Sequence, residues 1–337
     1  MLREVQFNHS ERQRLYFPFL FALLDDLTQT QGIKGEVLLM DVADASVLCF
    51  AALHDASVLN NVTPEERKSY GENVLCVSRV KNASFIGIET EEGSGYVEWS
   101  GAYFALPIET IMPAVSYLSF IECGYQPSDL LKWDGGSATL EDAFVEGKFE
   151  PLVNAIMQLC PEGIDQLKDY LCNLGMISFN PKRNPRDLQE LIHNELPPDT
   201  ILDWICQVAM GEGLVNQFTE KEDEPGSLAV SAEGTQILKE VLKKSGAKNI
   251  TKAATEEGNL IGGYTYVTRP DSNHNRYTCL FGYFPVDEPK YGISVWFQTK
   301  ELAEDDQVKE LAELKTHAAN ICKRVADYIM KSEMSKQ

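Results

Sequence analysis

The 337-residue sequence has eight cysteines, at positions 49, 76, 123, 160, 172, 206, 279 and 322, but no C-x-x-C pair. Zinc ribbons and thioredoxin-like redox motifs need that spacing and are excluded. The five histidines, at 9, 54, 193, 274 and 317, offer no metal-ligand spacing either. Long apolar runs are also missing. Leu15 to Leu24 spans ten residues, about half of what a membrane-spanning helix requires. The flank before it mixes Glu4 and Glu11 with Arg3, Arg12 and Arg14, and Leu23-Leu24-Asp25-Asp26-Leu27 is no small-x-small cleavage site, so no secretory leader is expected. Basic residues are scarce, 30 against 51 acidic ones, for a net charge of −21. Such a surface repels phosphate backbones and anionic lipid, which excludes nucleic-acid and membrane-surface roles.

What remains is a globular composition. The chain is 44% hydrophobic and 24% charged, with 23 glycines and 15 prolines, ample to bury a core in one large or two smaller units. Most cysteines sit in apolar surroundings, as in Val47-Leu48-Cys49-Phe50 and Trp204-Ile205-Cys206. They read as small buried hydrophobes, fitting a reducing compartment slightly better than an oxidising one.

Periodicity organises the chain. Leu20, Leu23, Leu24 and Leu27 form one face of an amphipathic helix over 11–27. Glu36 to Val42 reads as a buried strand, Ala43-Asp44-Ala45 as a turn, and Ser46 to Ala51 as the returning hairpin strand. Val74 to Val80 and Ser84 to Glu89 are short strands, and the Glu- and Gly-rich stretch Glu89 to Gly95 is a solvated loop. From about 107 to 224 the pattern is helical, and Lys221 to Gly226 is a charged Pro-Gly linker. Ser231 to Lys244 is a further helix. Tyr264 to Thr268, Tyr277 to Phe284 and Ile293 to Gln298 are rich in β-branched and aromatic residues and read as strands. Val308, Leu311, Leu314, Ala318, Cys322, Val325 and Ile329 make one stripe of a long closing helix.

The expected fold is therefore α/β in the α+β sense. A mostly antiparallel five-stranded sheet is flanked by helices, and an all-helical subdomain is inserted. The division expected is 1–56 with 228–337 for the sheet half, 57–104 for an insertion, and 105–227 for the helical subdomain.

The stretch Thr278-Cys279-Leu280-Phe281-Gly282-Tyr283-Phe284-Pro285-Val286-Asp287-Glu288-Pro289-Lys290-Tyr291 is a hairpin whose turn is fixed by two prolines. It resembles the transpeptidase domain of penicillin-binding proteins, in particular the monofunctional class, where G-Y-F-P and Ala-Asp-x-Pro-Lys-Tyr are typical. Other segments follow in the same order. Gly35 to Leu53 resembles that family's first hairpin, Thr139 to Phe144 and Leu174-Gly175-Met176 its helical subdomain, and Ser245 to Asn249 the segment ahead of its third strand. The resemblance runs from about residue 32 to 298 and implies a β-lactamase/transpeptidase-like fold.

It also implies a cleft built on three motifs. A Ser-x-x-Lys on a helix brings nucleophile and base onto one face. A Ser-x-Asn relays the proton, and a Lys-Thr/Ser-Gly on the third strand receives the substrate carboxylate. Here the corresponding stretch, Leu106 to Pro113, puts Glu109 in place of the serine and Met112 in place of the lysine. Counting on from Ala143-Phe144, the Ser-x-Asn position falls on Gly147-Lys148-Phe149, and the anion receptor falls on Thr255-Glu256-Glu257. A thioether cannot take up a proton, and a carboxylate has none to give at neutral pH. With Glu109, Lys148 and the carboxylates of 255–257 converging, Lys148 is expected to close the cleft by an ion pair.

Two literal matches compete with that register. Ser78-Arg79-Val80-Lys81 is an S-x-x-K, but in a strand-like stretch, where residues three apart face opposite sides. Lys244-Ser245-Gly246 is a K-S-G, but at a helix end. The leading expectation is a non-catalytic binding or scaffolding module, partnered by cell-wall synthesis proteins or a peptide, with no cofactor and no metal. The alternatives are an acyl-serine transpeptidase, carboxypeptidase or β-lactam-binding enzyme using Ser78, Lys81 and Lys244-Ser245-Gly246, and an unrelated α/β binding protein. The resemblance implies a periplasmic setting, whereas the missing leader fits the cytoplasm.

Overall fold

The computed structural model describes residues 34–53, 74–80, 83–90, 93–99, 106–159, 195–196, 198–215, 228–251, 261–270, 275–300 and 304–334, with scattered positions at 16–27 and 168–191. Five strands form one antiparallel sheet: β1 (Lys34–Asp41), β2 (Val47–Leu53), β3 (Gly262–Val267), β4 (Asn275–Phe284) and β5 (Tyr291–Lys300). Their order across the sheet is β3-β4-β5-β1-β2. Strands expected at the two ends of the chain therefore share one sheet, with β1 and β5 paired at its centre from Lys34 opposite Gln298 to Asp41 opposite Tyr291. Gly35 is required there. A Cβ at that position would lie 2.1 Å from the Trp296 carbonyl oxygen and 2.5 Å from the Phe297 ring.

Among the described residues, six helices have defined bounds: α1 (Met112–Glu122), α2 (Leu140–Val145), α3 (Phe149–Leu159), α4 (Pro198–Met210), α5 (Ala232–Gly246) and α6 (Glu304–Met334). Strand alternation assigns their partners. Val37, Leu39, Leu280, Ile293, Val295 and Phe297 face α6 and the helical positions Leu20, Leu23, Leu24 and Leu27 in one apolar core. The stripe read from the sequence is the contact, since Leu314, Ala318, Cys322, Val325 and Ile329 are all buried in it. Cys279, Phe281, Tyr283 and Trp296 point to the other face, into a second core with Trp204 and Ile205 of α4, Leu238 and Val241 of α5, and most of α1. Each fully buried side chain of this size contributes about 1.5–3 kcal/mol, so two stacked cores suffice to hold the sheet between helical layers.

Two local expectations need correcting. The Glu89 to Gly95 stretch is not simply a loop. Strand Ala83–Thr90 pairs with Gly93–Trp99, Thr90 opposite Gly93, in a three-stranded sheet with Val74–Val80. The β-propensity of Tyr96, Val97 and Trp99 outweighs the glycines before them. The helical block also contains a hairpin, Leu130–Trp133 with Gly136–Thr139. Its turn has Gly135 at φ +90° after Asp134, an Asp-Gly turn signal that is local and legible. The linker expected at 221–226 lies outside the described residues. Cys49, Cys172, Cys206, Cys279 and Cys322 are buried thiols, and Cys123 is exposed. Among the described residues no helix is long and apolar enough to cross a membrane.

Candidate functional site

The place to look is the seam where α1 meets the edge strand β3. Pro107 caps a short 3-10 turn, Ile108–Thr110, and Met112 opens α1. The Thr110 hydroxyl donates to the Pro107 carbonyl at 2.8 Å, which fixes the turn. Glu109 thus enters the seam 3% exposed, and Met112, fully buried, packs in the core behind it.

Edge strand β3 supplies the other wall. The Tyr264 hydroxyl donates to the Thr110 carbonyl at 2.8 Å, inside the protein. Just past the strand, the Arg269 backbone N–H donates to Glu109 Oε1. The Arg269 guanidinium stands 3.7 Å from Glu150 of α3. Burial first, and the charge of Glu109 second, push the Tyr266 hydroxyl and the Cys279 thiol well above their ordinary pKa values. Both are neutral at physiological pH.

Aromatic rings fill the space between these walls. Phe149 lies 5.3 Å from Phe144 and 5.9 Å from both Tyr264 and Tyr266, centroid to centroid. Phe144 also meets Tyr264 at 5.7 Å and Tyr117 at 5.4 Å, and Tyr264 meets Phe281 at 6.2 Å. Most of these pairs are edge-on, the arrangement that ring quadrupoles favour. Phe149 occupies the third position of the stretch read as Ser-x-Asn, and it is buried.

Lys148 takes no part. Its ammonium pairs with Glu146 at 2.7 Å on a surface where both side chains are about two-fifths exposed, and it lies 6.0 Å from the Trp133 ring centroid. The hydrogen bond from Lys148 holds the Glu146 carboxyl below the usual range. The ion pair expected to close the cleft is thus not made with Glu109, since Lys148 pairs with Glu146 instead. Gly147, at φ +69°, turns the chain just before α3 and carries Lys148 outward. Thr255, Glu256 and Glu257 lie outside the described residues. Among the described residues, Tyr264, Tyr266 and Arg269 interact with Glu109 or Thr110; the alternation of tyrosines along β3 signals the first two, and nothing in the sequence signals Arg269.

The two literal motif matches fall elsewhere. Ser78 sits in the Val74–Val80 strand opposite Phe85, and Lys81 lies outside the described residues. Lys244 is in the last turn of α5, with its ammonium 2.7 Å and 2.8 Å from the two Glu141 oxygens. Ser245 is buried and accepts from the Asn249 amide at 3.3 Å. A Cβ on Gly246 would lie 1.9 Å from the Ile261 carbonyl oxygen. This K-S-G is a helix end packed against the sheet, rather than part of a sheet strand.

The chain has the transpeptidase fold of penicillin-binding proteins, related to that of β-lactamases: a five-stranded antiparallel sheet, a terminal helical layer and a helical block against the edge strand. It superposes on the transpeptidase domain of the FtsI4 D,D-transpeptidase from Legionella pneumophila with a TM-score of 0.55 and 14% identity, covering 94% of this chain and 100% of that one. Penicillin-binding protein A from M. tuberculosis, solved as an imipenem acyl-enzyme, gives 0.59 at 15% identity over 92% and 77% of the two chains. A peptidoglycan glycosyltransferase from Burkholderia ambifaria gives 0.57 at 11% identity over 98% and 97%. No family model matches the sequence, and no curated protein does.

Proposed function

We propose that this protein is a non-catalytic member of the transpeptidase fold, serving as a binding or scaffolding module in peptidoglycan synthesis. The observation that carries the reading is the carboxylate of Glu109, buried and occupied by the Arg269 N–H where the resemblance puts a nucleophilic serine. Beside it, a core thioether at Met112 stands in for the base. Phe149, Tyr264 and Tyr266 pack against one another at the same seam. The cell-wall setting rests on the solved relatives, named as D,D-transpeptidase, penicillin-binding protein and peptidoglycan glycosyltransferase. In this reading 1–56 and 228–337 form the sheet half, 105–227 the helical subdomain and 57–104 an insertion. That partner is a cell-wall synthesis protein or a peptide.

The test is covalent labelling. Intact-mass spectrometry after prolonged incubation with penicillin is expected to show unmodified protein only. A stoichiometric adduct on any serine overturns the proposal, and an adduct on Ser78 would establish the acyl-serine alternative.

A further inference from the structure

The start of α4 carries a buried carboxyl that the fold serves only in part. Asp199, in the first turn of that helix, is 7% exposed, and its Oδ1 has no hydrogen-bond partner. The backbone N–H groups of Asp199 and Thr200 supply what compensation there is. A buried acceptor left unpaired is costly, and far more so when it is charged. α4 packs on β1, β4, β5 and α5. The strands turn Glu36, Tyr277, Cys279 and Tyr283 to its side of the sheet. The charged groups of α5 are Glu233, Lys239, Glu240, Lys243 and Lys244, of which the last two pair with Asp287 and Glu141. Among the described residues, the one charge that bears on Asp199 is Asp203, a turn further along α4 and itself buried. It pushes in the same direction as burial, and no cation offsets either.

A short ribbon connects this group to the seam. Three residues before Asp199, Glu195–Leu196 pairs with Leu106–Pro107, Leu196 opposite Leu106 and Glu195 opposite Pro107. Pro107 caps the Ile108–Thr110 turn, and its carbonyl accepts from the Thr110 hydroxyl. Leu106 and Leu196 lie buried in the core that also holds α1 and α4. The path thus runs from a titratable group to the turn that delivers Glu109 to the Arg269 N–H. So short a pairing has little stability of its own and follows what its ends do.

We propose that Asp199 is a pH-sensitive latch on the seam: protonated, it lets the start of α4 and the ribbon close, and ionised, it loosens both together with the turn that carries Glu109. The sign follows from burial. Closed, the carboxyl keeps its proton up to about pH 7; opened to water, it releases it near the ordinary 3.8. Opening is therefore coupled to loss of a proton and becomes easier as pH rises from about 4 to 7. Between about pH 5 and 7 the opening constant should grow roughly fiftyfold, and above that it levels off. The latch sets the width of the seam and acts whether the seam is a binding site or a working one.

The experiment is native-state hydrogen exchange on the full chain between about pH 5 and 7, over a series of sub-denaturing urea concentrations, with rates corrected for the pH dependence of exchange itself. Two amides report on the seam: Arg269, which donates to Glu109, and Ile111, which donates to the Ile108 carbonyl at 3.0 Å. The buried Val325 of α6 reports on global unfolding. Arg269 and Ile111 are expected to exchange through an opening that urea hardly promotes and that grows roughly fiftyfold across this pH range. Exchange at Val325 should instead rise steeply with urea, because it needs the whole surface exposed. Asp199→Asn should hold the seam opening at its low-pH value throughout. The proposal is overturned if the seam amides share the urea dependence of Val325, since the group then acts only on global stability. It is equally overturned by a seam opening that ignores pH, or by a pH dependence that survives Asp199→Asn. Where that variant does not fold, the wild-type series still decides between these outcomes.

Discussion

The two sides of the sheet are joined to their neighbours by different physics. Toward α6 the contact is apolar in its middle, with Phe297, Val295 and Ile293 in one core with Val325, Cys322 and Ala318, and hydrogen bonds from Tyr291 to Glu333 and from Thr299 to Glu310 lie at the ends of β5. Toward the helical block the fastening is by directed contacts: from the edge strand and just beyond it Tyr264 to Thr110 and Arg269 to Glu109 and Glu150, and from the end of α5 and the turn after it Lys244 to Glu141 and Asn249 to the Val145 carbonyl. Apolar burial is large and indifferent to detail, whereas hydrogen bonds add little net stability but specify a geometry. The first junction holds the sheet together. The second decides how wide the seam beside Glu109 stands, and so whether anything can enter it.

That contrast can be broken from the apolar side first. Phe297→Ala removes a fully buried ring and should cost about 3–5 kcal/mol, read as a drop in the urea midpoint of unfolding. A loss below 1 kcal/mol would mean that α6 contributes less than its burial indicates.

Asp199 tests the helical side. It lies in the first turn of α4, 7% exposed, and its Oδ1 finds no hydrogen-bond partner among the described residues. Burial, with a smaller push from Asp203, raises its carboxyl to about 7, against 3.8 ordinarily. The folded state then keeps a proton that the unfolded state has already released. Stability contributed by this group is full below about pH 4, falls as pH rises toward 7 and is lost above that. The difference is at most roughly 4 kcal/mol. Asp199→Asn should flatten the slope between pH 4 and 7 in chemical denaturation, and an unchanged slope would relocate the effect to other carboxyls.

A smaller effect sharpens the comparison at the seam. Tyr264→Phe keeps the ring but leaves the buried Thr110 carbonyl without this donor, at a cost of about 1–2 kcal/mol. Hydrogen exchange in α1 and β3 should quicken more than in α6, and uniform quickening would contradict a local fastening. The smallest effect is at the surface. Lys148→Ala, which removes an exposed pair with Glu146 and a contact with the Trp133 ring, should leave the melting midpoint unchanged and raise the titration midpoint of Glu146 by NMR, because that lysine is the largest cause that holds the carboxyl low.

Much of the fold is local and was therefore legible. The β1–β2 hairpin, the alternation of β4 and β5, the Ser231 cap of α5 and the stripe of α6 each announce themselves within a dozen residues. Ser231 Oγ does accept from the Gly234 N–H, at 2.9 Å. The seam was legible only in part. Pro107 and Pro113 bracket the turn that delivers Glu109 and Met112, so their placement could be read. Lys148 was read as a cleft cation because counting along a sequence cannot see Gly147 turn the chain outward. Of the aromatic filling, only the alternation of Tyr264 and Tyr266 on β3 was visible. Phe149 and Tyr264 meet across more than a hundred residues, and nothing in either neighbourhood encodes that contact.

The central pairing of β1 with β5 also sets a schedule. Asp41 and Tyr291 are neighbours in the sheet but about 250 residues apart along the chain. At a synthesis rate of about 5–20 residues per second, the first hairpin waits roughly 12–50 s for its central partner. During that interval Val37 and Leu39 have neither β5 nor α6 to cover them, while the edge of β1 that will receive β5 stands open to other strands. The nascent chain is thus most vulnerable to aggregation through its earliest strands, and protection by a ribosome-associated holdase matters most before the last fifty residues emerge.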